Sequence, residues 1–217
     1  MRIGIFGATG VIGQRILAEA ERRGHQVTAF SRNPAADPRH RQADVLDPGD
    51  AIDGLDVVVN AVNSGGDPQA AIENAQLFPA AATALLKALE RRPATRVVVV
   101  GGAGSLEVSP GRQLVDVDGF AEGLPAQLGV PAEYVEVVLA HREALDRYRL
   151  SNRQWTYLSP SSGLIQPGER TGRYRLGGDQ LLDVTADISA EDLAVAVLDE
   201  IELPRHLQRR FTVGSAA

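Results

Sequence analysis

Short apolar runs recur along the chain: Ile3 to Phe6, Val27 to Phe30, Leu55 to Val62, Val97 to Val100 and Trp155 to Pro160, with Phe211 to Val213 closing it. They are mostly continuous instead of alternating with polar residues, the pattern of parallel strands buried on both faces. Between them the apolar residues switch to helical spacing. Ile12, Ile16, Leu17 and Ala20 make one stripe, Val135, Val138, Leu139 and Leu145 a second within 132–149, and Leu193, Ala194, Val197 and Leu198 a third. A stretch rich in alanine and leucine, from about 67 to 91, is a further helix with Pro79 a natural place for a break. Strands alternating with helices predict an α/β fold: a doubly wound, mostly parallel sheet with helices on both faces. No repeat or linker interrupts residues 1–217, so a single domain is expected, with a substrate-side portion from about residue 105 onward.

Local signals refine the boundaries. Gly24 ends the first helix, and His25 to Ser31 reads as the second strand. Gln42 to Asp47 reads as a short strand or edge entering a Pro48-Gly49 turn. Residues 106–131 are the least regular, punctuated by Pro110, Gly111, Gly119, Gly123, Pro125, Gly129 and Pro131, and read as a lid or substrate wall. Residues 168–180 look like a hairpin-like excursion. Ser189 to Asp192 has the spacing of a capping box, with Asp in place of the usual Glu.

The most specific chemistry lies where the first strand meets the first helix. Glycines fall at Gly7, Gly10 and Gly13. Gly7 permits a tight exit from the strand, Gly10 lets a phosphate approach the backbone, and Gly13 lets the helix pack close to the strand. The free N–H groups and positive dipole end of the helix then face the pyrophosphate of a dinucleotide. The spacing is G-x-x-G-x-x-G, not the G-x-G-x-x-G of most dinucleotide folds; its strand–turn–helix context carries the reading and makes the expected sheet Rossmann-type.

Composition narrows the rest. With 217 residues, 44% hydrophobic, the chain can bury an ample core. A net charge of -6 with no basic stripe argues against a general nucleic-acid or membrane surface. There is no cysteine, which excludes disulfides, thiolate catalysis and zinc–thiolate sites. His25, His40, His141 and His206 show no ligand spacing, so no metal is expected. The first strand begins at the N-terminus and no apolar run reaches the length of a membrane span, so a cytoplasmic location is expected. Of 22 basic residues only Lys87 is a lysine.

At the end of the second strand an acidic residue would bind the 2′-hydroxyl of NAD, whereas arginine suits the 2′-phosphate of NADP. The chain offers Ser31-Arg32-Asn33 and no carboxylate, which favours NADP(H) over NAD(H) unless Arg32 is merely solvated. Asp44 either caps its turn or accepts from the adenine amino group, with Val45 beside the ring. Asn60-Ala-Val-Asn63 with Ser64-Gly-Gly66, Gly101-Gly-Ala-Gly-Ser105 and Pro160-Ser-Ser-Gly163 follow strands, at the carboxyl ends where open α/β sheets bind ligands.

At Gly7-Ala-Thr-Gly-Val-Ile-Gly13 the chain resembles the atypical short-chain dehydrogenase/reductase superfamily, whose NAD(P)-binding members carry G-A-T-G-x-x-G. Gly101-Gly-Ala-Gly-Ser-Leu-Glu-Val108, Trp155-Thr-Tyr-Leu-Ser-Pro160, Pro167-Gly-Glu-Arg-Thr-Gly172, Leu176-Gly-Gly-Asp-Gln180 and Arg210-Phe-Thr-Val-Gly214 narrow the resemblance. Together they look like the NAD(P)H-binding, NmrA-like group of NADH–flavin reductases related to biliverdin reductase B, over essentially the whole chain. The resemblance implies pyrophosphate contacts at Gly7, Thr9, Gly10, Val11 and Ile12. It puts Arg32, beside Ser31, on the 2′-phosphate, and Asp44 with Val45 on the adenine. Asn60, Ala61 and Val62 would line the middle of the cofactor, with Ser105 and Pro160 near the nicotinamide.

Carbonyl-reducing members of that superfamily use a Tyr-x-x-x-Lys pair, the lysine lowering the phenol's pKa for proton exchange. Lys87 lies on an earlier helix with Thr83 four residues before it. Counting back from Trp155, His141 falls about where that lysine would be and Val137 where the tyrosine would be. Alcohol dehydrogenation and sugar-nucleotide epimerisation by that pair are disfavoured. Hydride transfer to a flavin needs chiefly face-to-face positioning. The expectation is therefore an NAD(P)H-dependent reductase for a small planar acceptor, with flavin as substrate and not as a tightly bound cofactor. Ser105 either holds the nicotinamide or acceptor or forms a turn; His141 either contacts ribose or substrate or packs in its helix. Tyr134 and Arg173 either wall the pocket or serve packing and surface. The alternative is a non-catalytic NADP(H)-binding redox sensor of the NmrA-like type. The expected partners are a small-molecule acceptor, no nucleic acid and no membrane, in a monomer or homodimer.

Overall fold

The computed structural model describes residues 1–33, 36–161, 165–183 and 187–216. Its strands are β1 (Arg2–Phe6), β2 (Gln26–Ser31), β3 (His40–Gln42), β4 (Val57–Asn60), β5 (Arg96–Val100), β6 (Glu107–Ser109), β7 (Arg112–Gln113), β8 (Trp155–Pro160), β9 (Tyr174–Gly177) and β10 (Arg209–Ser215). The helices are α1 (Val11–Arg22), α2 (Pro68–Glu73), α3 (Leu77–Leu89), α4 (Phe120–Leu128), α5 (Val135–Arg149) and α6 (Ala190–Glu202). Eight strands form one sheet in the order β3-β2-β1-β4-β5-β8-β10-β9, and β6 with β7 makes a separate hairpin. Within the large sheet only β9 runs antiparallel, against β10.

Strand alternation sorts the side chains into two cores, one on each face. Ile3 and Ile5 of β1 join Ile16 of α1 and Leu193 and Val197 of α6. Phe6 and Phe30 face the opposite way, joining Leu85 of α3 and Leu145 of α5. Their two rings stack 4.8 Å apart. The continuous valine run of β5 is buried throughout because helices cover both faces. This is the doubly wound, Rossmann-type sheet that the apolar pattern predicts.

Several boundaries differ from the sequence reading. The third strand is His40–Gln42, and residues 43–47 form a turn closed by an Asp44–Asp47 bridge, because only Ala29 to Ser31 is available for β3 to pair with. The helix expected over 67–91 is two, α2 and α3, parted at residues 74–76. Pro79 does not break it: the proline sits in the first turn of α3, where its missing N–H has no intrahelical partner to lose. Residues 106–131 hold the β6–β7 hairpin and α4, which tolerates Pro125 in its interior. The 168–180 excursion is no hairpin; it is an extended strap followed by β9, whose partner is β10.

That strap explains the Pro167–Gly172 motif. Gly168 N–H donates to Glu191, Arg170 pairs with Glu19, and the Thr171 hydroxyl and Gly172 N–H both donate to Asp192. Ser189 Oγ caps α6 by accepting from Asp192 N–H at 3.0 Å. The return arm of the capping box is absent, since the Asp192 carboxylate holds the strap instead. Burial would raise the Glu19 carboxyl, but hydrogen bonds from Arg170, Arg22 and Arg23 outweigh it and hold the group well below the usual carboxylate range.

Candidate functional site

The sheet order reverses between β1 and β4, and ligands of open α/β sheets bind outside the carboxyl ends at such a point. The three glycines there meet different surroundings. Gly7 has φ +81°, and a Cβ on it would lie 2.3 Å from Ala61 O, so the turn rests directly on the backbone that follows β4. A Cβ on Gly13 would lie 2.0 Å from Gly7 O, which seats the helix against the turn. A Cβ on Gly10 would meet only Gly7 O, at 3.3 Å. Two of the glycines are closed by backbone, and the third opens outward.

Gly10 is also the N-cap of α1, and no side chain caps the helix nor does an acidic residue stand in its first turn. The leading N–H groups, at Val11 and Ile12, keep their hydrogen-bonding capacity and dipole for an anion. Thr9 and Val11 are exposed beside them. Gln14 Nε2 donates to Thr9 O at 2.8 Å and braces the turn.

At the end of β2 the Ser31 Oγ is buried and has no hydrogen-bond partner. Arg32 is exposed and makes no ion pair among the described residues. Asp44 uses one carboxylate oxygen to accept from Leu46 N–H at 2.9 Å, the turn-capping role, and Val45 is buried in the core beneath. Asn60 Oδ1 accepts from Val62 N–H at 3.3 Å, which bends the chain from β4 across Ala61 onto the Gly7 turn.

The loop after β5 is packed closely on its neighbours. A Cβ on Gly101 would sit 1.8 Å from the Tyr157 ring, one on Gly104 2.0 Å from Val138, and one on Gly102 3.4 Å from His141. Its glycines let the backbone press on β8 and α5. Ser105, expected at the nicotinamide or acceptor, is 3% exposed. Its carbonyl and hydroxyl oxygens both accept from Arg210 Nη1 at 2.8 Å. Arg210 in turn donates from Nε to Asp179 Oδ1 at 2.8 Å. The hydroxyl is thus engaged in the interior, where it anchors the loop.

His141 packs on Phe78 with ring centres 3.7 Å apart and planes tilted by 31°, and its Nδ1 lies 3.4 Å from the Tyr157 hydroxyl. Burial pulls its pKa down to about 4, so the imidazole is neutral near pH 7. It remains partly exposed beneath Gly102, the packed-helix alternative with one edge at the loop. Val137 is buried in the core, and Lys87 is exposed on α3. Pro160 closes β8, buried, with Ser161 N–H donating to Val213 O at 2.7 Å. Ser162 and Gly163 lie outside the described residues. Tyr134, at the start of α5, is half-buried, and that burial pushes its phenol up. Arg173 is exposed on the strap.

The structure therefore gathers Gly7, Gly10, Ala61 and Val62 around the switch point, and sets Ser105 and His141 against the interior. Two features escaped the sequence: Arg210 as the partner of Ser105, and the buried, unpartnered Ser159 Oγ near the end of β8. Neither carries a local signal, because the Ser105–Arg210 contact and the burial of Ser159 both depend on parts of the chain distant in sequence.

Fold and site together define a dinucleotide-binding α/β protein. The chain belongs to the NAD(P)H-binding family, whose model matches residues 7–204. It is 38% identical over 228 residues to YwnB, an uncharacterised protein of Bacillus subtilis, with all of both chains covered. A Burkholderia pseudomallei structure provisionally called an exported protein superposes with a TM-score of 0.82 at 45% identity, covering 99% of each chain. A Streptococcus pneumoniae structure provisionally named an NADH-flavin reductase gives 0.81 at 27% identity, again over 99% of each. A Bacteroides thetaiotaomicron structure provisionally named an epimerase gives 0.79 at 31% identity, covering 100% of this chain and 97% of the other. These neighbours are consistent with the atypical short-chain dehydrogenase/reductase, NmrA-like group. Among the described residues no helix is long and apolar enough to cross a membrane.

Proposed function

We propose that the protein is an NADP(H)-dependent reductase that passes hydride to a flavin or similar planar acceptor taken up as substrate. The observation that carries the reading is the contrast among the glycines: Gly7 and Gly13 are filled by backbone, while Gly10 opens beside an uncapped helix at the switch point. The residues present fit a dinucleotide. Val11 and Ile12 N–H groups with Thr9 would hold its pyrophosphate, and Asn60, Ala61 and Val62 its middle. Ser31 Oγ, buried without an acceptor or donor, and Arg32, free of any ion pair among the described residues, would take a 2′-phosphate. Asp44 and Val45 would meet the adenine, and Pro160 would border the nicotinamide.

The bound nicotinamide would supply the hydride. The chain's own part is to orient and to exclude water. The Gly101–Gly104 backbone, packed on Tyr157, His141 and Val138, would wall the acceptor, and Arg210 pins its end through Ser105. Ser105 and Arg210 are in this reading positioning residues. No lysine-assisted phenol is required, because water can deliver the proton to a reduced flavin. Residues from about 105 onward would form the acceptor wall, Tyr134 included.

Calorimetry with NADPH and NADH on wild type and Arg32→Ala tests the cofactor half. The substitution is expected to weaken NADPH by about 1.5–3 kcal/mol and leave NADH nearly unchanged. Stopped-flow mixing of NADPH-loaded protein with FMN tests the acceptor half, and no acceleration over a protein-free control would remove it. One observation favours a second reading, a redox sensor: the Ser105 hydroxyl is committed to Arg210 and the His141 ring to Phe78. Equal affinity for NADP+ and NADPH with no turnover of any acceptor would decide for it.

A further inference from the structure

We propose that Asp179 is a positioning residue for hydride transfer: through Arg210 it fixes where the loop after β5 stands against the acceptor. The inference rests on the reductase reading and extends it to a carboxylate at the molecular surface, on the segment that follows β9.

The Arg210 side chain is 1% exposed, and all three of its guanidinium nitrogens are engaged. Nη1 donates to Ser105 O and Ser105 Oγ, both at 2.8 Å. Nε donates to Asp179 Oδ1 at 2.8 Å, and Nη2 lies 2.6 Å from the same oxygen and donates to Asp179 O at 3.1 Å. Among the described residues Arg210 has no other carboxylate, and the Ser105 hydroxyl has no other partner. The backbone adds a second tie: Glu107 N–H donates to Asp179 O at 2.8 Å, and Leu181 N–H to Glu107 O at 2.9 Å. The segment after β9 and the chain just past Ser105 are therefore held together.

A guanidinium stays charged even when buried, so it keeps its place only beside a countercharge. Asp179 supplies that charge from the surface, its own side chain being 44% exposed. An open cavity of about 620 Å³ is walled in part by Arg149, Asp179 and Arg210. It gives a guanidinium released from Asp179 room to swing towards water and away from Ser105. The loop before Ser105 has little slack, because Gly101, Gly102 and Gly104 lie against Tyr157, His141 and Val138. A displacement at Ser105 is then passed along the backbone that would wall the acceptor. Misplacement by about 1 Å can cost about a hundredfold in rate.

The full chain would be assayed with NADPH and FMN, well below the unfolding midpoint of each variant. Asp179→Asn is expected to lower kcat by about tenfold or more while NADPH affinity, read by calorimetry, stays unchanged. Asp179→Glu keeps the charge and should restore most of the rate. The control is Arg149→Gln, which takes the other partner from the same carboxylate, at 2.9 Å, without touching Ser105. It should keep the wild-type kcat whatever it does to stability. Equal kcat in Asp179→Asn and Arg149→Gln, or a loss of NADPH affinity in step with kcat, would overturn the proposal. Amide hydrogen exchange supplies a readout without turnover: Leu106 and Glu107 should exchange faster in Asp179→Asn than in Arg149→Gln. Should wild type prove inactive with FMN, the reductase reading fails, and exchange alone decides whether Asp179 holds the loop. Equal exchange in the two variants would overturn that hold as well.

Discussion

At the carboxyl end of the sheet Ser31 Oγ is buried with no partner and the first turn of α1 is uncapped, whereas at the amino end the Glu200 carboxylate serves several donors at once. Glu200 accepts from the Arg96 guanidinium and from the backbone N–H groups of Arg205 and His206, and it faces His206 Nδ1. Arg96 also donates to Glu200 O at 2.8 Å and to Thr156 Oγ1 at 2.7 Å. Both regions bury polar groups, and both therefore carry a desolvation cost. Around Glu200 most of that cost is recovered within the chain, although Arg96 Nε stays unpaired. At the carboxyl end the Ser31 hydroxyl and the leading N–H groups of α1 are left without partners, which is where the proposed dinucleotide would sit.

The sharpest way to break the comparison is at the amino end. Glu200→Ala leaves Arg96 buried without its countercharge and should cost about 3–5 kcal/mol in denaturant unfolding. NADPH affinity of the remaining folded protein should be unchanged; a matching loss of affinity would show the two ends to be coupled.

The His141 imidazole gives the next effect, through pH. Its folded pKa is lowered to about 4 from 6.5, so the unfolded chain binds the proton first. The stability it contributes is complete above pH 6.5 and is lost as pH falls towards 4, by about 3 kcal/mol at most. Unfolding of His141→Asn should show a flatter pH dependence over that window than wild type. Parallel curves would mean that the ring titrates freely.

Within the carboxyl end, the glycines should separate stability from binding. Gly13→Ala forces a Cβ into Gly7 O and should lower stability by about 1–3 kcal/mol. Gly10→Ala should leave the melting temperature near wild type while weakening NADPH by about tenfold or more. Equal effects from the two substitutions would deny Gly10 its open role. The smallest expected change is Ser31→Ala: stability unaltered or slightly raised, NADPH weaker by about 0.5–1.5 kcal/mol, read by calorimetry.

Much of this was legible in the chain because the signals are local. Continuous apolar runs placed the buried strands, and the glycine spacing after Phe6 located the switch-point turn, since both depend on residues a few positions apart. The place of Arg32, though not its role, was legible for the same reason: it follows the second strand directly. The errors share one cause. Whether Gln42 to Asp47 pairs as a strand depends on how far β2 extends, and whether 168–180 closes on itself depends on β10, some thirty residues away.

The sequence by itself determined the alternation of strands and helices, the absence of any thiol, and a glycine turn suited to a pyrophosphate, because covalent identity and short-range sterics settle those. Only the tertiary structure decided the fate of the polar side chains. Ser105 is anchored by Arg210, 105 positions later, His141 is neutralised by burial against Phe78, and Trp155 is left with an unpaired N–H. The reason is physical: a polar group's role depends on what shares its low-dielectric surroundings, and chain order does not encode those neighbours locally.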